Sequence, residues 1–408
     1  MNSIYSKTCQ VCKNTNIEKI YSFGNLPPVN EYLSSCNLPQ TIYFNTDLVK
    51  CNVCSLFQLA TIVDKKILFP KNYPYTSSTT KILKKNFANL AYQVKKRNLL
   101  LSKKDLVIDI GSNDGNLLSN FRGYRLLGIT PERIGKLAIK KGIPTILKYF
   151  DKSTVNLVLR KFGKCQIATA TNVFAHIDNP NQLVKNIFKI LKKNGVFICE
   201  IHYLPTLIEK NQYDTIYHEH LRYYTLNSLK YLLNRNGVRI FDCEKIITHG
   251  GSIRIYTSKS KKYKISKNVK NILKQESKAL SSKKIINFQK RILMSKLKLY
   301  KKLADIKVKN KKICGISAPS RASTLINYVG LDNNIIDCIF EIPGSFKIGK
   351  FMPGTKIKIV SEIDIKKYKP DYLLILSWHI KKDLKKIFKK KGFKGKFIIP
   401  LPNPRIES

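Results

Sequence analysis

The chain of 408 residues is long enough for two or three domains, and its hydrophobic fraction of 43% is that of an ordinary globular protein. Its 75 lysines and arginines against 26 acidic residues give a net charge of +49. No apolar run approaches the roughly 18 residues of a membrane span, and no signal-peptide pattern opens the chain, so the expectation is a soluble, cytoplasmic monomer without membrane partners.

The charge raises the question of nucleic acid as a partner. Lysine, however, is abundant together with isoleucine, asparagine, phenylalanine and tyrosine, the composition of an AT-rich genome. The basic residues are spread along the chain and are densest in Lys259–Lys312. No helix-turn-helix, zinc-finger helix or RNA-binding aromatic motif accompanies them, so nucleic acid is set aside.

Residues 1–75 read as a small metal-binding domain. Cys9 and Cys12 form one CxxC turn, and Cys51 and Cys54 form a second. Two such turns close a tetrahedral thiolate shell suited to structural Zn²⁺, with no position left for water. Between them lies LPPVNEYL, Leu26–Leu33. A loop rich in proline, aromatic and hydroxyl residues follows, Leu68–Thr80, and contains Tyr73 and Tyr75. Leu83, Phe87, Leu90, Ala91 and Val94 then recur at helical spacing within Lys81–Leu100.

Residues 76–260 read as repeated strand–helix units. The strands are Leu106–Ile110, Arg125–Thr130, Gln166–Phe174 and Val196–Ile201. The first runs into GSNDG, Gly111–Gly115, and is expected to continue into a helix whose N-terminus is open to a ligand. Asp178-Asn179-Pro180 begins a helix with apolar Leu183, Ile187, Ile190 and Leu191, and Gly195 is expected to end it. Arg239–Ile247 and Ser252–Ser258, joined by THGG, read as a hairpin. A parallel sheet finished by a hairpin is the pattern of class I S-adenosylmethionine (SAM) methyltransferases. GSNDG lacks the third glycine that an NAD-binding turn prefers.

Residues 261–312 read as linking helices with a solvated basic face, and residues 313–408 as a second α/β domain. Its strands are Ile313–Ser317, Ile336–Ile342, Asp371–Trp378 and Lys396–Leu401, and Arg321 opens its first helix.

The densest reactive cluster is YDTIYHEHLRYYT, Tyr213–Thr225. It holds two of the six histidines, and histidine is the usual general base near neutral pH. The HExxH spacing of a metal-binding helix is absent. His176 follows the third strand, where open α/β sheets place catalytic groups.

These motifs, in their order and spacing, resemble the three-domain SAM-dependent C-methyltransferases that act on nucleotide-linked ketosugars in deoxysugar biosynthesis. The resemblance covers nearly the whole chain and rests on the CxxC pairs, LPPVNEYL, NYPYTSS, DIGSNDG, NVFAHI, YDTIYHEHLRYY, HGGSIRIY and PGTKI…PDYLLILSW. It implies an α/β architecture: a zinc-binding domain, a Rossmann-like class I methyltransferase domain and a C-terminal Rossmann-like domain. It implies His220 as the base, with Glu219, Tyr217, His176 and Tyr75 as further catalytic groups. Tyr75, His176, Tyr217, Arg254 and Arg321 would bind the nucleotide-sugar. Asp109, Gly111, Ser112, Asn113, Gly115, Thr130 and Asn172 would bind SAM. Thr130 stands where such enzymes carry an acidic residue for the ribose, with Glu132 in the next turn. Two other classes remain as alternatives: a SAM-fold protein without this chemistry, and a basic nucleic-acid methyltransferase.

Overall fold

The structure is a computed structural model that describes residues 2–34, 41–69 and 81–408. Among these, no helix is long and apolar enough to cross a membrane. Tyr73 and Tyr75 lie outside the described residues.

The N-terminal sheet is an antiparallel meander of Ile17–Leu26, Phe44–Cys51 and Phe57–Leu59. Its fourth strand, Arg222–Tyr223, comes from far along the chain and pairs with Gln58 and Phe57. The tail of the histidine-rich segment is thus an edge strand of the N-terminal sheet.

The central sheet has seven strands. Across it run Arg239–Ile246, Ser252–Ser258, Leu191–His202, Cys165–Thr171, Leu106–Ile110, Arg125–Ile129 and Thr145–Ile146. All pairs are parallel except those made by Ser252–Ser258. This is the expected class I arrangement, a parallel sheet closed by a hairpin. The interior strands are apolar on both faces because helices cover both.

Two local expectations fail for physical reasons. No α-helix follows GSNDG; a short 3₁₀ turn, Leu118–Phe121, stands there instead. Only residues 116–122 separate Gly115 from Gly123, and Leu117, Leu118 and Phe121 are drawn into the core, so the link is too short and too tethered for a full helix. The later helix, Pro180–Ile190, starts as expected, with the Asn179 side chain accepting from Gln182 N–H at 3.0 Å. It ends at Ile190, not Gly195. Leu191 already pairs with Cys165, and Gly195 lies in the irregular stretch before Val196.

The C-terminal sheet runs Ile359–Ser361, Cys338–Glu341, Ile313–Ile316, Tyr372–Ile375, Lys396–Ile399 and Arg405–Glu407. Numbered in chain order this is 3-2-1-4-5-6, the doubly wound order, with only the last strand antiparallel. The long helix Ser282–Lys307 is more than a linker. Phe288, Ile292, Leu299 and Leu303 are fully buried in a core shared with the N-terminal strands and the C-terminal sheet.

Arg254, expected at the substrate, is instead sealed inside the central sheet. It stands in register between Glu200 and Glu244 on the neighbouring strands. Nε donates to Glu200 at 2.6 Å, and NH1 donates to Glu244 and Asn89, each at 3.0 Å. NH2 donates to the side chain and carbonyl of Asn86. Five donors meet five acceptors, so none remains for a substrate. The network fastens the helix Lys81–Lys96 to the sheet. Replacing Arg254 with leucine strands the Glu200 carboxylate, which costs about 3–5 kcal/mol. Circular dichroism melting should show a large fall in Tm for R254L and a smaller one for R254L/E200L, where no charge is left unpaired.

Candidate active site

The segment Tyr213–Thr225 is clamped from both sides. Leu221 N–H donates to the Ala175 carbonyl at 2.9 Å, and the Leu221 carbonyl accepts from Leu59 N–H at 3.0 Å. The Arg222 guanidinium donates to the carbonyls of Ile177 and Asp178. These restraints fix two histidines, one residue apart, in different directions. The His218 ring lies against Phe44, with Nε2 at 3.1 Å from the Thr46 hydroxyl and 3.2 Å from the Asn45 carbonyl. It belongs to the N-terminal interface.

His220 turns into the cleft. Its Nδ1 lies 2.9 Å from the Thr215 carbonyl, which can only accept, so Nδ1 carries the proton and Nε2 keeps a lone pair. The Tyr217 hydroxyl is 3.3 Å from that Nε2, and the two rings stack at 4.2 Å. His176 lies 5.0 Å away, between His220 and Phe69, with its Nδ1 buried and without a partner among the described residues. The Glu219 carboxylate, expected to orient His220, reaches Asn30, whose Nδ2 donates to it at 2.7 Å. Asn30 in turn accepts from the Ser320 hydroxyl at 2.9 Å. LPPVNEYL thereby links the reactive segment to the C-terminal domain.

Three further histidines face the same cleft: His202, His249 and His379. His202 Nε2 is 3.0 Å from Gln212 Oε1, and His249 Nε2 is 3.0 Å from Asn172 Nδ2. His379 Nδ1 is 3.4 Å from NH1 of Arg321. Five of the six histidines therefore share one cleft. Arg321 is held there by a two-point ion pair with Asp214, both bonds at 2.7 Å, and lies over the Trp378 ring. Burial pushes all five imidazoles below their usual range, His176 and His249 to about 4, and Arg321 adds to the effect on His202, His249 and His379.

Sequence reading found His176 and His220 and missed the other three. A usable signal exists. His202 ends a strand, His249 sits in the hairpin turn and His379 follows the strand Tyr372–Ile375. Histidines beside strand ends are candidates in open α/β sheets.

Family models match three consecutive parts of the chain. They are a zinc binding domain at residues 9–69, a methyltransferase domain at 82–241 and a C-methyltransferase C-terminal domain at 247–402. The C-methyltransferase NovU of Streptomyces niveus is 28% identical over 98% of this chain and 96% of its own length. The chain is a SAM-dependent C-methyltransferase. Solved structures also resemble it. Magnesium protoporphyrin IX methyltransferase from Synechocystis, with bound SAM, covers 43% of this chain and 79% of its own, at 13% identity and a TM-score of 0.32. A SAM-dependent methyltransferase from Clostridium acetobutylicum covers 44% and 93%, at 14% identity and a TM-score of 0.34.

The methyltransferase's cofactor turn fits SAM in its backbone. Gly111 and Gly115 have φ of +77° and +75°, and a Cβ on Gly111 would stand 2.6 Å from Val173. Asn113 and Asn172 are also left-handed, at +48° and +59°. The Ser112 hydroxyl is buried with no partner among the described residues. Asp109 lies beneath the turn, not in it. Its carboxyl accepts from the Thr169 hydroxyl at 2.6 Å and burial pushes it up to about 7. Thr130, expected at the ribose, is sealed at 1% exposure with its methyl against Gly135. The acidic residue beside this strand end is Glu132. Its carboxylate is half-buried and accepts from Asn113 Nδ2 at 3.2 Å. Glu132→Gln should weaken SAM binding about tenfold or more by calorimetry, the loss expected for a hydrogen bond to a charged group.

The zinc domain also fits its metal. The sulfurs of Cys9, Cys12, Cys51 and Cys54 all lie within 4.8 Å of one another, with the closest pairs at 3.5 Å. A tetrahedral Zn–thiolate site requires sulfurs about 3.8 Å apart. Asn181 and Arg235 both donate to the Val11 carbonyl inside the first knuckle, so metal loss should be felt in the central domain. Elemental analysis of chelator-free protein should give one zinc per chain, and Cys54→Ser should lose it.

Proposed function

We propose that this cleft C-methylates a nucleoside-diphosphate ketosugar through an enolate formed by His220. A saturated carbon has no lone pair, so C-methylation needs a carbon acid, a base and a means of holding the oxyanion. The observation that carries the reading is the tautomer of His220. The Thr215 carbonyl holds the Nδ1 proton, leaving Nε2 as a proton acceptor beside the Tyr217 hydroxyl. Burial keeps the ring neutral, so it stands ready as a base at pH 7. Its low basicity in the empty cleft is offset once a negative enolate forms beside the imidazolium.

A cleft lined by imidazoles, tyrosine, asparagine and arginine suits a hydroxylated ring. Arg321 stands in the first turn of the helix Ser320–Val329, where the C-terminal sheet reverses its strand order. A helix start at such a switch point favours an anionic group, which supports a phosphate-bearing substrate. Glu132, Asn113 and the Gly111–Gly115 turn would hold SAM, and Asn172 borders the turn. SAM, when bound, supplies the electrophilic methyl group that the enolate carbon takes. Tyr217 and His176 flank His220 and limit how the substrate can lie. Cytoplasmic action on a free nucleotide-linked sugar fits this reading.

His220→Ala should abolish methyl transfer to nucleotide-ketosugars, followed by mass spectrometry, while calorimetric SAM binding stays near wild type. Retained activity would remove His220 from the role. The pH profile gives a separate check. The base works when neutral, and its folded pKa lies well below 6.5. Methyl transfer should therefore stay level as pH falls through 6.5 and drop only in more acidic buffer. An inflection at 6.5 or above contradicts a buried base.

A further inference from the structure

We infer that His249 is a second catalytic residue, whose Nδ1–H donates to the substrate carbonyl oxygen and holds it as the enolate forms. The inference rests on the reading of His220 as the base. It begins with the backbone. His249 lies in the hairpin turn at φ +52° and ψ 27°, a left-handed conformation uncommon for residues other than glycine. The surroundings here are unusually tight. A Cβ on Gly250 would stand 2.6 Å from Gln212 Nε2, and one on Gly251 would stand 2.3 Å from the Thr206 methyl. Gln212 Nε2 and Lys210 Nζ donate to the Gly250 carbonyl at 3.0 and 2.9 Å. The turn is pinned to the loop after His202, and the side chain it presents is the His249 imidazole.

The ring's orientation follows from Asn172. The amide Nδ2 only donates, so His249 Nε2 accepts and a neutral ring carries its proton on Nδ1. No described residue accepts from that Nδ1, and the ring is half-buried in the cleft. Asn172 ends the central strand next to the Gly111 turn, so this donor stands on the cofactor side. His249 stands within electrostatic range of both His176 and His220, and His176 packs directly on His220 with ring centres 5.0 Å apart. The other imidazoles are arranged differently. His202 gives its Nε2 proton to Gln212 and offers an acceptor, and His379 lies exposed at the outer rim beside Arg321. The cleft therefore holds two neutral Nδ1–H histidines that present opposite atoms to it, the Nε2 lone pair of His220 and the Nδ1–H of His249. As the substrate C–H bond breaks, its proton passes to Nε2 of His220. The electron pair moves onto the carbonyl oxygen, which Nδ1–H of His249 holds. With SAM bound, that pair would form the carbon–methyl bond while the methyl–sulfur bond breaks and leaves its electrons on sulfur, and the proton on His220 would leave to solvent.

Two measurements on the full-length, zinc-loaded protein test this. Nitrogen-15 histidine NMR, with His249 assigned through H249N, should show a neutral Nδ1–H ring at pH 7. An Nε2–H or charged ring overturns the inference without reference to any substrate. The second is deuterium incorporation beside the ketone of thymidine- and uridine-diphosphate 4-ketohexoses in D₂O without SAM. Wild-type protein should exchange and H220A should not. H249G keeps the turn's backbone freely allowed, and should exchange about 10²–10³-fold more slowly, the usual loss of one oxyanion donor. H249N, whose amide can donate, should recover part of the rate. Exchange by H249G within threefold of wild type overturns the role of His249 and leaves His220 in place. No exchange by the wild type overturns the His220 reading, and this inference with it.

Discussion

The Asp214–Arg321 ion pair joins the segment that carries His220 to the C-terminal sheet, and the cleft exists because of it. Both groups are nearly sealed from water, and Trp378 Nε1 adds a third bond to the same carboxylate at 2.8 Å. A buried carboxylate and guanidinium tolerate separation poorly, because each would be left uncompensated. Opening the two domains therefore carries a large penalty. The pair also explains why the carboxyl ends of two different sheets can serve one site. Asp214 belongs to the loop after the central strand Leu191–His202, and Arg321 to the helix after the strand Ile313–Ile316. Asn30 repeats the connection nearby, between Glu219 and Ser320. The cleft is a junction of three domains, not a pocket of one.

Such a junction sets the electrostatics of its histidines. Four of these imidazoles, all but His379, are partly buried at the junction, and Arg321 stands close enough to His202, His249 and His379 to oppose a second positive charge. The rings are thereby held neutral. A neutral imidazole is one donor and one acceptor, and its partner on one nitrogen dictates what the other presents. A carbonyl on Nδ1 makes His220 an acceptor toward the cleft, whereas an amide nitrogen on Nε2 makes His249 a donor. Chemical direction is thus written in backbone and amide contacts, not in pKa alone.

What could be read from the sequence follows from range. The strands, the Asn179 cap and the paired CxxC turns are local patterns, and each appears where expected. The domain order was legible from the same patterns. What failed depended on distant partners or on link length. Arg254 reads as a free cation in SIRIYTS because the acids flanking it lie on two other strands. The pairing of Arg222–Tyr223 with Gln58 and Phe57 joins segments far apart in sequence. His202, His249 and His379 are isolated in the chain and converge only through two sheet topologies. Thr130 illustrates the finer limit. Its side chain turns inward, and the nearest acid along the chain, Glu132, lies two residues later beside Asn113.

The charge of +49 finds its place in the same frame. In the cleft itself the cation is Arg321, and it is already balanced by Asp214. The other groups named there are imidazoles, a phenol, amides and the Glu219 carboxylate, which accepts from Asn30. Lysines approach from the rim, as Lys210 does at the Gly250 carbonyl and Lys347 at the Ala318 carbonyl. Lysines at the rim and a paired cation inside give a field that draws anions inward. An unbalanced cation beside His220 would depress its basicity further, and an unbalanced anion would oppose the enolate. Neutralising Arg321 at the domain junction therefore serves the fold and the chemistry together: the contact that closes the cleft also leaves no unpaired guanidinium beside the imidazoles.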